Sequence, residues 1–182
     1  MRQLGDELSR ALEQLASRDL EVRVKAVENL AQIANGTIDN VVEEFAQPGD
    51  ARYLIFERLG RFGSSAIRPL EQLLNRSEDA ELRILASAAL LQLGSTVGVE
   101  ILLQSIRAEE PLVCLAVRVL SDANISEARP LIESLIEVLD LGQTDTLECL
   151  VTGLRHFVDP LPEQIRTRLQ DVKPAWRRDS FL

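Results

Sequence analysis

The stretch Asp79-Ala80-Glu81-Leu82-Arg83-Ile84-Leu85-Ala86 repeats the chemistry of Asp19-Leu20-Glu21-Val22-Arg23-Val24-Lys25-Ala26, and Arg52 occupies the corresponding place between them. Each copy opens with an acid suited to cap a helix N-terminus. Apolar residues at its fourth and eighth places then share one helical face. Extending the alignment puts Leu30, Leu59, Leu90, Leu120 and Leu150 in register, at steps of 29, 31, 30 and 30 residues. A period of that size indicates stacked helical hairpins, each too small to bury its apolar face alone.

A second, independent match supports the register. Ala66-Ile67-Arg68-Pro69-Leu70 resembles Glu127-Ala128-Arg129-Pro130-Leu131, each proline standing near the start of a first helix. Leu4, Leu8, Leu12 and Leu15 place a helix over about 3–17, and Val22, Ala26, Val27, Leu30 and Ile33 place another after Asp19. Asn35-Gly36 reads as the end of that second helix. Ile38, Val41, Val42 and Phe45 read as a short third, and Asp50 as the cap of a fourth carrying Leu54, Ile55 and Leu59. The same punctuation, with Gly60, Gly63, Gly94 and Gly142 at helix ends and Pro111 and Pro162 at first helical positions, continues through about 172. The expected total is about eleven helices in five hairpins, joined by loops too short to separate domains. A single domain over 1–172 with a tail over 173–182 follows.

The pattern Asp-x-x-Val-Arg-x-x-Ala-x-x-x-Leu, preceded by a helix with an early proline, resembles the HEAT-like repeat in the short form also found in phycobilisome lyases. The resemblance covers roughly residues 5–158. It implies an all-α, α-α superhelix of right-handed twist, with the second helix of each pair lining the concave side. The family fixes architecture well and function poorly. The fourth unit, at Glu110-Pro111-Leu112-Val113-Cys114, lacks the arginine, and the fifth keeps little beyond Leu150. The repeated Asp and Arg need no catalytic role: the acid can cap its helix, and the arginine can pair with it or with a neighbouring repeat.

Composition agrees. Apolar residues at 46% and charged residues at 27% suit a folded globular chain, and aromatic residues at 4% suit helix packing better than sheets. A net charge of −9 would repel a phosphate backbone, which argues against nucleic acid. No uncharged run approaches the ~18 residues needed to span a bilayer, and Met1-Arg2-Gln3-Leu4-Gly5-Asp6-Glu7 has no apolar signal segment, so a cytoplasmic location without membrane contact is expected. In that compartment Cys114 and Cys149 are expected as small buried hydrophobes, not as a disulfide.

Catalytic and metal-binding patterns are missing from the sequence. His156 is the one histidine, and no Cys-x-x-Cys, phosphate-cradling glycine loop or Gly-x-Ser-x-Gly elbow occurs. Adjacent acids such as Glu43-Glu44 and Glu109-Glu110 point about 100° apart on a helix and read as solvated charge. No cofactor, metal or catalytic residue is expected, and the chain reads as a non-enzymatic adaptor.

Candidate partner contacts come from the repeat columns. One carries Lys25, Leu54, Leu85 and Leu115, a second Glu28, Glu57, Ala88, Arg118 and Glu148, and a third Gln32, Arg61, Gln92, Asp122 and Thr152. The leucines of the first column either fill inter-repeat contacts or form an exposed apolar strip. The candidate partner-binding set is Glu28, Glu57, Arg61, Leu85, Gln92, Leu115 and Arg118, with Trp176 in the tail, where an aromatic beside Arg177-Arg178 resembles a binding hot spot. Trp176 and Phe181 can equally fold back over the last repeat. An acidic groove favours a basic protein partner. Two further expectations are an immunity or inhibitor protein that neutralises a basic toxin and, from the lyase-type repeat alone, a subunit acting on the bilins of phycobiliproteins.

Overall fold

In the computed structural model the described residues are 2–108, 111–173, 178, 179 and 181, with side chains described from residue 6 onward. They are helical throughout, with no strand among them. Helices α1 (Arg2–Leu15), α2 (Leu20–Phe45) and α3 (Asp50–Leu59) lead through a 3-10 segment (Gly60–Ala66) into α4 (Ile67–Arg76). Then follow α5 (Ala80–Gln92), α6 (Val99–Arg107), α7 (Val113–Asp122), α8 (Ala128–Val138), α9 (Thr144–Arg155) and the short α10 (Glu163–Leu169). The chain forms two compact units, Met1–Pro69 and Leu70–Leu182.

In the first unit α1 and α3 both pack on α2. The two helices expected on either side of Asn35-Gly36 are one continuous helix, so the expected count of about eleven helices drops accordingly. Gly94, which follows α5, has the positive φ, 88°, of a left-handed helix stop; Gly36 has none. Carrying glycine through a helix interior costs roughly 1 kcal/mol relative to alanine. Burial of Ile38, Val42 and Phe45 on the continuing helix offsets that. Thr37 Oγ1 also donates to the Ile33 carbonyl at 2.9 Å across this stretch.

The core face of α1 differs from the expected leucine stripe. Leu8 and Leu12 are 41% and 53% exposed, while Ala11 is buried, so α1 lies on α2 through a small residue. Leu4 falls outside the described side chains. Val27 is likewise exposed, and Val22, Leu30 and Ile33 are half-buried. The cap of α3 is Gly49, at φ 133°, with Asp50 as the first helical residue, not the cap.

The second unit is a two-layer stack of hairpins. Helices α5, α7 and α9 lie side by side in one layer and α6, α8 and α10 in the other, with α5–α6, α6–α7, α7–α8 and α8–α9 packed across the layers. Here the aligned positions expected in the core, Leu82, Ala86, Leu90, Ala116, Leu120 and Leu150, are all buried. The repeat also extends to helix ends. After α5 the Ser95 amide donates to the Leu90 carbonyl and Gly94 to Leu91. After α7, one period later, Ile125 donates to Leu120 and Asn124 to Ser121, with Asn124 at φ 54° doing the work of glycine. Both are paired closures that satisfy otherwise orphaned carbonyls.

The repeated acid and arginine have separate structural tasks. Asp19 Oδ1 accepts the Glu21 amide at 2.9 Å, and Asp79 Oδ1 accepts the Leu82 amide at 3.0 Å. The arginines turn back to the preceding helix. Arg52 donates to the Ala46 and Gln47 carbonyls after α2, and Arg83 to the Leu74 and Ser77 carbonyls at the end of α4. Placing a cation on the terminal carbonyls of a helix supplies hydrogen bonds and complements its dipole. Arg168 of α10 does the same for the Ile136 and Leu139 carbonyls at the end of α8.

Candidate functional site

Two helices that approach unusually closely build the most structured concavity. Gly153 on α9 faces Val117 and Ser121 on α7; a Cβ on the glycine would overlap Val117 Cγ1 and lie 3.1 Å from Ser121 Oγ. This approach brings Cys149, one turn before Gly153, opposite Cys114, one turn before Val117 and Arg118. The Cα atoms of Cys114 and Cys149 are 5.7 Å apart and their sulfurs form a disulfide. The expectation of two unpaired buried thiols is therefore corrected. Sequence reasoning from compartment weighed the chemistry of cysteine but had no access to this separation, which decides whether two cysteines can join.

Around the disulfide lies an open cavity of about 410 Å³. Its rim carries three carboxylates, Asp122, Asp145 and Glu148, together with Arg118, Thr152 and His156, and its inner wall carries Leu115, Ser121 and Gly153 beside the two cysteines. His156 Nδ1 stands 3.7 Å from Asp122 Oδ1. Ser121 is 3% exposed, and its hydroxyl has no hydrogen-bond partner among the described residues. Both cysteines are half-buried and line the cavity.

A larger concavity, about 620 Å³, lies between α1 and α2, lined by Glu7, Arg10, Gln14, Asn29 and Gln32 among others. Every polar residue on it is exposed or half-buried, so water satisfies them and no organised chemistry results.

The structure divides the candidate partner-binding residues. Leu115 and Arg118 meet in the α7–α9 cavity, joined there by Asp122, Glu148 and Thr152 from the two polar columns. Glu28 on α2, Glu57 on α3 and Arg61 in the 3-10 segment are exposed in the first unit, with Glu57 Oε2 3.7 Å from Arg58. Gln92 is exposed at the end of α5. Leu85 is not a surface residue: at 1% exposure it fills the core, as does Ala88 at 0%. The leucine column thus has no single character, since Leu54 is 58% exposed and Leu115 half-buried. Glu43 and Glu44 sit near the end of α2, on the same helix as Glu28 and not on a separate first helix. Trp176 and Glu109-Glu110 lie outside the described residues. Phe181 is buried, and its carbonyl accepts from Arg155 Nη2 at 2.6 Å, so the tail returns to the end of α9.

Among the described residues no group of three or more His, Cys, Asp or Glu could hold a metal ion, and no helix is long and apolar enough to cross a membrane. The class these features define is an all-helical chain, as far as its described residues go. No protein-family model, curated protein or solved structure matches it.

Proposed function

We propose that the chain is a non-enzymatic, cytoplasmic HEAT-like interaction module, its hairpins forming a right-handed superhelix that holds a basic protein partner along its second helices. The observation that carries this reading is the α7–α9 cavity, where three carboxylates face one arginine on the side of the hairpin stack formed by α5, α7 and α9. A guanidinium or ammonium of the partner can meet those carboxylates, while the apolar wall accepts the stem of the same side chain. Repeat proteins recognise extended partners by placing equivalent residues of successive repeats in adjacent columns, and Arg118, Asp122, Glu148 and Thr152 are such residues.

The test is affinity capture from the source organism with the full chain, followed by titration of the captured partner. Reversing Asp122 and Glu148 to lysine should weaken binding by about tenfold or more and slow association at low salt. Reversing Glu137 on α8 and Glu127, which immediately precedes that helix in the other layer, should leave it unchanged. Equal effects from both pairs would remove the groove as the interface.

A further inference from the structure

The disulfide is not the only contact between α7 and α9. Gly153 fits against Val117 and Ser121, and the buried Val117, Leu120, Leu150, Val151 and Leu154 give the two helices an apolar core. Such packing favours keeping the cysteines adjacent in either redox state, and both residues line a cavity open to solvent. The cavity that an incoming thiol enters is lined by the exposed Asp122, Asp145 and Glu148 and by Arg118. Asp145 lies one turn before Cys149 on the same face of α9, and Glu148 lines the same cavity.

We propose that Cys114–Cys149 is a reversible thiol–disulfide exchange site that opens onto the α7–α9 cavity and selects its thiol reactants by charge, favouring cationic and neutral thiols over anionic ones. The chemistry is a two-electron exchange. The reactant's thiolate attacks one cysteine sulfur and forms a mixed disulfide; the S–S bond breaks and the other cysteine leaves as a thiolate that takes a proton from water. A second reactant thiolate attacks the reactant's own sulfur in that mixed disulfide, and the first cysteine leaves and is protonated in turn. The protein is reduced to a dithiol and two reactant thiols are oxidised to one disulfide. Run backwards, a small disulfide reoxidises the pair. The inference is independent of the partner-binding reading, since small thiols suffice to test it.

The experiment treats the full oxidised chain, without denaturant, with cysteamine, β-mercaptoethanol or glutathione at matched thiolate concentration, following the appearance of free protein thiols by alkylation and mass spectrometry. Each rate, divided by the same thiol's rate with a small uncharged disulfide so that intrinsic nucleophilicity cancels, should fall in the order cysteamine, β-mercaptoethanol, glutathione. At low ionic strength the first and last should differ by about fivefold or more, because a net negative rim within several ångströms attracts one and repels the other. In 1 M salt, where the screening length is about 3 Å, the spread should collapse. Asp145→Asn with Glu148→Gln should narrow it at low salt, and Asp122→Asn alone should narrow it less. Circular dichroism should remain unchanged on reduction, and cystamine should restore the disulfide. Equal normalised rates for the three thiols, reduction that occurs only in denaturant, or a native pair that stays as thiols in cystamine would each overturn the proposal.

Discussion

Gly153 lies so close to Val117 that a Cβ on it would overlap the valine's Cγ1, so α7 and α9 approach at this point closer than a larger residue would allow. At an exposed helical site Gly→Ala stabilises by roughly 1 kcal/mol. Here Val117 is fully buried and packed, so it has no empty space to turn into. Gly153→Ala is therefore expected to lose about 1–3 kcal/mol, the usual cost of overpacking, against the propensity gain. Gly153→Leu should drive the helices apart until the cysteine Cα atoms pass the limit of about 7 Å and the disulfide no longer forms. Urea unfolding and a thiol titration of each variant read both effects, and a stabilised Gly153→Ala would show that α9 is free to shift.

Beside that glycine, Ser121 carries a buried hydroxyl with no partner among the described residues. A polar group that makes no bond contributes only its desolvation cost, about 1–3 kcal/mol at most. Ser121→Ala removes the hydroxyl and keeps the small volume that the α9 approach requires. Its melting temperature should equal or exceed that of the parent. The same holds for Ser87, whose hydroxyl is also unpartnered and whose side chain faces Gly98 closely enough to exclude a Cβ there. A clear fall in melting temperature for either alanine variant would reveal a hydrogen bond or bound water at that site.

These contacts mark where the sequence stops being legible. The 30-residue period located Leu82, Leu90, Leu120 and Leu150 in the core because burial follows helical face, which spacing encodes. It located the caps at Asp19 and Asp79 for the same local reason. Asn35-Gly36 misled because a local stop signal was outweighed by tertiary burial of Ile38, Val42 and Phe45. The cysteine pair was hidden because Cys114 and Cys149, 35 residues apart, are not equivalent in the repeat, and only packing brings them together. One signal was present: Gly153 stands inside a helical pattern, where glycine is unfavourable unless something must come close.

The arginines at the repeated position provide a comparison within one chain. Arg52 is 3% exposed and donates to two carbonyls after α2, and Arg83 donates to two at the end of α4, whereas Arg23 is exposed. Hydrogen bonds from a charged donor contribute about 1.5–3 kcal/mol each, and their loss leaves terminal carbonyls unsatisfied. Arg52→Met and Arg83→Met should each lower stability by roughly 2–4 kcal/mol, while Arg23→Met should change it by less than about 0.5 kcal/mol. Denaturant midpoints should move with little change in slope, because the folded surface is unaltered. Three equal effects would mean that the arginine serves the repeat by some route other than closing the preceding helix.

Leu54 and Leu85 occupy one column of the repeat yet stand at opposite extremes of exposure, 58% and 1%. On sequence alone a leucine at both places reads as a single feature, either a core row or an apolar strip. The difference arises in the helices: α5 is buried almost all round from Leu82 to Leu91, whereas α3 buries only Arg52, Phe56 and Leu59. Truncating a fully enclosed leucine removes its transfer free energy and leaves a cavity, so Leu85→Ala should cost about 2–5 kcal/mol. Leu54→Ala forfeits little contact and should stay within about 0.5 kcal/mol of the parent. Unfolding each variant in urea distinguishes the two cases without reference to any partner. If Leu54→Ala proved as costly as Leu85→Ala, Leu54 would have to be covered in solution, and light scattering of the parent chain would then show whether a second copy covers it.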